Sequence, residues 1–253
     1  MQMTGNTVLI TGGATGIGFA LAERFLTDNT VIVCGRREDK LLDAQAKHPQ
    51  LHVRVADLSR SDERISLAAW LLAAFPDLNI LVNNAGVQRE FHVGTDDLAD
   101  QFEQENEIDV NLTAPIHLTF LLLPQLLKQE TAAVVNVSSG LGLVPIAVMP
   151  VYCATKAAMQ SFSTSLRYQL QDTNVKVFDL APPVVETDLD KGARARRGQA
   201  QRGISPERVA SETLRGMARD TFVINIGMVR ALRIASRVVP NRMLKVINQK
   251  AGA

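Results

Sequence analysis

Ser138 and Ser139 close an apolar run, and Tyr152 and Lys156 follow four residues apart. In a helix that spacing puts a phenol and an ammonium on one face. A phenol with a pKa near ~10 is a poor proton carrier at neutral pH. A neighbouring ammonium favours the phenolate and brings it into range for acid–base work. A serine hydroxyl beside it would hold a substrate oxygen where negative charge develops. Tyr-x-x-x-Lys alone also describes a surface pair. Its place shortly after Ser-Ser-Gly, in the β–α pattern described below, argues for chemistry.

A second cluster is Thr11-Gly12-Gly13-Ala14-Thr15-Gly16-Ile17-Gly18, which follows an apolar run directly and opens a helical stretch. The glycines allow a sharp turn and a close backbone approach to a pyrophosphate, and the helix N-terminus points free N–H groups at it. A plain glycine-rich turn is the alternative. No Lys-Ser/Thr follows the last glycine, so this is not a Walker-type ATP loop. The next apolar run ends Cys34-Gly35-Arg36-Arg37. An acid there would bond a ribose 2′-hydroxyl, but Gly35 cannot. Two guanidinium groups favour a 2′-phosphate instead. The alternative is a solvated pair that begins a helix. Asn83-Asn84-Ala85-Gly86 ends a further run, where small residues let a nucleotide lie across a sheet edge.

The elements that must hold these residues are legible as alternating patterns. Strand-like runs are Thr7–Thr11, Val31–Cys34, Leu51–Val55, Ile80–Asn83, Ala133–Val137 and Val175–Phe178. Most are almost wholly apolar, which suits strands covered on both faces in a parallel sheet. Helical stretches lie between them: Ile17–Leu26, Asp39–Lys47, Asp62–Phe75, Asp97–Leu127 and Val151–Leu170. The alternation predicts a single α/β domain over residues 1–253, a Rossmann-like, doubly wound parallel sheet. Residues 186–220 are expected to form a substrate loop or lid with the helix after it. Lys191–Gly203 is small, basic and Gly/Ala/Gln-rich, as a lid loop would be.

Composition sets the outer limits. The chain has 253 residues, 46% hydrophobic and 21% charged, which excludes a disordered, collagenous or disulfide-scaffold protein. Net charge is +1, giving no general case for nucleic acid. The charge is uneven: 14 Lys/Arg against 4 Asp/Glu from Asp190 to Ala253, a balance of +10. Arg194, Arg196, Arg197 and Arg202 cluster within the lid. A basic end suggests an anionic partner, a membrane surface, a subunit contact or merely solvated helix faces. Cys34 and Cys153 make no framework, and a reducing, cytoplasmic location is expected. No secretory signal is legible at the N-terminus. Leu112–Leu127 is uncharged but shorter than the ~18–20 residues of a membrane span and broken by Pro115 and Pro124, so a core helix is expected. His48, His52, His92 and His117 have no metal-ligand spacing, and no metal is expected. Trp70 reads as a packing residue.

Together, Thr11–Gly18, Asn83–Gly86, Asn111, Ser139 and Tyr152-Cys153-Ala154-Thr155-Lys156 resemble the short-chain dehydrogenase/reductase family over residues 5 to 220. Pro115-Ile116-His117-Leu118, Pro150–Lys156 and Ala181-Pro182-Pro183 more narrowly resemble the DltE-like bacterial oxidoreductases. The resemblance implies interconversion of a carbonyl and a secondary alcohol, with NADP(H) favoured by the arginines and NAD(H) the alternative. It makes Tyr152 the general acid/base. Lys156 would bond the nicotinamide ribose, Ser139 would polarise the substrate oxygen, and Asn111 would hold a water of the proton relay. It places Gly12, Thr15, Gly16, Ile17, Gly18, Arg36 and Arg37 on the cofactor. Asp57 and Leu58 would lie at the adenine, and Asn84, Ala85 and Gly86 along the cleft. Pro182, Val185 and Thr187 would lie at the nicotinamide.

Three departures from the family pattern stand out. Pro183 replaces a usual glycine, and Cys153 a commoner serine. The end of the chain, residues 221–253, is an atypical basic tail in place of a final strand and an Asp-Gly-Gly stretch. A homodimer is therefore expected over the usual tetramer. A small-molecule substrate is expected, and neither nucleic acid nor a membrane as partner. The rival readings are a non-catalytic nucleotide-binding regulator and a docking protein that uses the basic tail.

Overall fold

The computed structural model describes residues 1–94, 106–189 and 203–251. The apolar runs become β1 (Thr7–Thr11), β2 (Thr30–Gly35), β3 (His52–Val55), β4 (Leu78–Asn83), β5 (Ala132–Val137) and β6 (Val175–Ala181). A seventh strand, β7 (Val223–Asn225), follows them. All pair in parallel, in the order β3-β2-β1-β4-β5-β6-β7. The order reverses between β1 and β4, and the crevice beyond that switch point is where such sheets bind ligands.

Among the described residues, eight helices of ten or more residues connect or follow the strands. The first seven are α1 (Gly16–Phe25), α2 (Glu38–Lys47), α3 (Ser61–Ala74), α4 (Ala114–Leu126), α5 (Pro150–Gln169), α6 (Pro206–Ala218) and α7 (Val229–Val238). A last helix, α8 (Pro240–Ala251), completes the described chain. Alternate strand residues face opposite cores. Val8 and Ile10 pack with Leu21 and Phe25 of α1, Leu41 of α2 and Met217 of α6. Leu9 packs on the other side with Leu71 of α3, Leu122 of α4 and Leu166 of α5. Both faces are covered, as the wholly apolar strands require.

Two expectations change. The helix expected from Asp97 is described only from Glu107, since residues 95–105 lie outside the described part; it then runs through a π-helical turn, Asp109–Thr113, into α4. Neither proline breaks it. Pro115 sits in the first turn of α4, where a missing N–H is tolerated. Pro124 is inside the helix, and the residue four before it, Phe120, faces outward. The second change is at the end of the chain. The final strand is not replaced: β7 pairs with β6 through Leu180↔Ile224, and the basic helices come after it. Among the described residues, no helix is long and apolar enough to cross a membrane.

Candidate active site

Thr11 ends β1 and ties it to the loop after β4. Its Oγ1 accepts from the backbone N–H groups of Asn84 and Ala85, both at 3.0 Å. Asn84 returns the contact, donating through Nδ2 to the carbonyls of Thr11 at 2.9 Å and Gly12 at 3.2 Å. Gly16 turns the chain into α1 with φ +57°, a conformation that side chains rarely adopt. A Cβ on Gly18 would overlap Asn84 Nδ2 and the Gly12 carbonyl. The loop is thus held close to β4 by contacts that only glycine permits. The first-turn N–H groups of α1 receive no bond from the Thr15 side chain, so they remain available to an anion.

A cleft of 610 Å³ runs along this edge of the sheet. Gly12, Thr15, Gly16 and Ile17 line it at the glycine loop, and Asn84, Ala85 and Gly86 at the loop after β4. Arg36 and Arg37 line one end, joined by Lys40 one turn along α2. Arg37 Nη2 donates to Thr15 Oγ1 at 3.4 Å, which places a guanidinium across the mouth of the glycine loop. Lys40 was missed in the sequence, though its i,i+3 spacing from Arg37 is a usable signal. Asp57 and Leu58 line the same end. Asp57 Oδ1 accepts from the N–H of Ser59 at 3.0 Å and its hydroxyl at 2.8 Å, so part of the carboxylate serves the turn.

Ser139, Tyr152 and Lys156 line the cleft farther along the sheet edge, and Pro182, Val185 and Thr187 line it too, Thr187 close against Gly16. Ser139 follows β5, in extended conformation before a short 3-10 turn, and its Oγ accepts from the Leu141 N–H at 3.1 Å. With a lone pair so engaged, its hydroxyl proton can point into the cleft. Tyr152 and Lys156 share one face of α5, with Nζ 5.6 Å from the ring centre. Lys156 is buried and donates to the Val137 carbonyl at 2.9 Å. Burial pulls its pKa down to about 8, against the opposing charge of Asp179.

Asn111 and Gly18 are the predicted residues that do not line the cleft. Asn111 sits in the π-helical turn, buried. Its Oδ1 accepts from Val87 N–H at 2.8 Å, and its Nδ2 donates to the Val87 carbonyl and to Thr155 Oγ1. Its side chain therefore binds the loop after β4 to α5, the helix that carries Tyr152 and Lys156. Pro183 lines the cleft beside Pro182. Cys153 is a packed residue, with the Ile146 N–H 3.4 Å from its sulfur and its thiol pushed up by burial. The basic cluster Arg194 to Arg202 lies outside the described residues.

Sequence reasoning also missed a buried polar row. Asn83, Asn136 and Asp179 occupy one register across β4, β5 and β6. Asn83 Nδ2 donates to Asn136 Oδ1 at 2.8 Å, and Asn136 Nδ2 donates to Ser163 Oγ of α5 at 2.9 Å. Ser138 Oγ donates to Asp179 Oδ1 at 2.5 Å. Burial raises the Asp179 pKa, and the Ser138 bond opposes that rise. Gln160 of α5 donates to the Ser139 carbonyl at 2.9 Å. The signal was a polar residue in each of three apolar strands.

Residues 6–198 match the short chain dehydrogenase family. The chain is 46% identical over 251 residues to the uncharacterized oxidoreductase DltE of Bacillus subtilis (strain 168), covering 98% of each chain. The chain belongs to the short-chain dehydrogenases. The oxidoreductase class follows with the family. The fold is shared with a short-chain dehydrogenase/reductase from Burkholderia phymatum in complex with NAD: TM-score 0.84, 23% identity, 96% of each chain covered. It is also similar to a closed serine dehydrogenase complexed with NADP+: TM-score 0.78, 26% identity, 87% of this chain and 94% of that one.

Proposed function

We propose that the protein is a nicotinamide-dinucleotide-dependent oxidoreductase that interconverts a carbonyl and a secondary alcohol. The observation that carries this reading is a cleft shared by both groups of residues. It joins a glycine loop and three cations at one end to Ser139, Tyr152 and Lys156 at the other. The cradle fits a dinucleotide in two respects: its glycines leave no Cβ in the way, and the α1 N-terminus offers uncapped N–H groups to a pyrophosphate. The related structures holding NAD and NADP support the same ligand class. Arg36, Arg37 and Lys40 favour a 2′-phosphate, hence NADP(H) over NAD(H). Asp57 and Leu58 would meet the adenine; Pro182, Val185 and Thr187 would meet the nicotinamide.

The bound dinucleotide supplies hydride chemistry at carbon. The chain's own residues handle the oxygen. Tyr152 gives a proton to the substrate oxygen in reduction and takes it in oxidation. Lys156 stabilises negative charge on the phenol oxygen and holds the ribose. Ser139 donates its hydroxyl proton to the substrate oxygen as charge builds there. Asn111 positions α5 against the loop after β4; its place in a proton relay rests on the family resemblance.

We read the protein as a cytoplasmic homodimer. Both cysteines are free and buried, in keeping with a reducing compartment. A carbonyl panel with each reduced cofactor, followed by nicotinamide absorbance, tests the function. Turnover is expected with tighter binding of NADPH than NADH. Failure of all carbonyls and alcohols with a correctly folded, cofactor-bound protein would overturn it.

A further inference from the structure

Beyond Tyr152 the cleft is roofed by the two C-terminal helices. Glycine at position 140 lets α7 close onto the loop after Ser139. A Cβ there would lie 3.0 Å from Val229 Cγ2 and 3.6 Å from Leu232 Cδ2. The other helix, α8, is clipped to the segment before α5. Asn248 Oδ1 accepts from the Ala147 N–H at 2.7 Å, and its Nδ2 donates to the Pro145 carbonyl at 3.1 Å. Ile247 packs against the cluster of Ile146, Met149 and Tyr152. The roof is therefore fixed to the same two segments that carry Ser139 and Tyr152.

The chamber under this roof is apolar. Leu141, Ile146, Met149, Leu232 and Ile247 line it. Two polar side chains of the cleft, Gln88 and Asp188, come just after the stretches assigned to the cofactor, two residues past Gly86 and one past Thr187. Among the described residues, the cations lining the cleft are Arg36, Arg37 and Lys40 at the far end, and Lys156, which is bonded to Val137. A carboxylate, sulfonate or phosphate on the substrate would be desolvated under this roof with Lys156, already engaged by Val137 and set beside Tyr152, as the one described cation near it, at high cost. An alkyl chain or ring would instead bury its surface against five hydrocarbon or thioether side chains.

We propose that the substrate is a carbonyl or secondary alcohol carried on an uncharged apolar chain or ring, with Leu232 and Ile247 setting that preference. The proposal rests on the oxidoreductase reading above and names its substrate class.

Straight-chain 2-ketones from butanone to 2-decanone test it, beside an α-keto acid and a sulfonated aldehyde, with NADPH and NADH in saturating amounts. The full-length protein is expected to show kcat/KM rising with chain length, by up to about fourfold per buried methylene. The anionic carbonyls should fall at least tenfold below 2-decanone. Leu232→Asp should flatten the series, mainly through KM, and Leu232→Met should restore it. Ile247→Asn gives the same reading should Leu232→Asp fail to fold. A flat series in the unaltered protein, or preference for an anionic carbonyl, overturns this proposal and leaves the oxidoreductase reading intact. Absence of turnover throughout, with cofactor bound, overturns both.

Discussion

Lys156 carries its charge into a buried environment. Its ammonium is buried against Val137, and its pKa falls to about 8 from the usual 10.5. Between those values the unfolded chain holds a proton that the folded chain has released, so this group's contribution to stability rises with pH from about 8 to 10.5. Below pH 8 both states are protonated, and the folded state carries the full desolvation cost. Thermal melts of the cofactor-free protein should show that rise, and Lys156→Met should lose it. An identical pH profile in the two proteins would contradict the assigned burial. At the cleft's other end, Arg36 and Arg37 should discriminate cofactors. A charge-assisted hydrogen bond contributes about 1.5–3 kcal/mol, so Arg36→Ala or Arg37→Ala should weaken NADPH roughly ten- to a hundredfold. NADH should hold within about threefold in fluorescence titrations. Equal losses for the two cofactors would show that the arginines do not read the 2′-phosphate.

The elements tie these residues to one another through the buried row across β4, β5 and β6. Asn136 accepts from Asn83 and donates to Ser163, linking two strands to α5. Asn136→Ala leaves a buried donor and a buried hydroxyl each short of one partner, and should cost about 1–3 kcal/mol. Denaturant unfolding reads that loss directly, and an unchanged midpoint would mean that the row carries no load. This row also marks where the sequence stops being legible. The glycine loop, the Ser139–Tyr152–Lys156 group and six strands are local patterns, and each stood where its neighbours in sequence implied. Asn83, Asn136 and Asp179 come together through strand register, which no single strand encodes. Each left only a trace, as a polar side chain in an apolar run. The end of the chain misled for a related reason. Val223–Asn225 is too short to announce itself, and only pairing with β6 makes it a strand. The basic character of α7 and α8 is legible in the sequence, but their place over the cleft depends on Gly140 and the Asn248 clip.

For the whole molecule, the outer face of α4 and α5 bears on assembly. Phe120 is 54% exposed and meets Phe162 edge-to-face at 6.1 Å, with Leu127 and Tyr168 also exposed. A two-fold axis there would pair the two helices with their copies and cover those rings. Light scattering coupled to size exclusion should give a mass near twice the 27.6 kDa chain. A mass near one chain would contradict the pairing, and one near four would point to a further contact along β7 or the basic helices. In the proposed reaction the hydride reaches the substrate carbon and the Tyr152 proton reaches its oxygen. Reduction of 2-decanone with NADPH deuterated at the transferring carbon tests it most directly, using the unaltered protein and Tyr152→Phe. Label is expected at the carbinol carbon with the unaltered protein. In Tyr152→Phe the rate should fall by about 10²–10⁴-fold, with NADPH affinity retained. Near-equal rates in the two proteins, or alcohol formed without label, would contradict it.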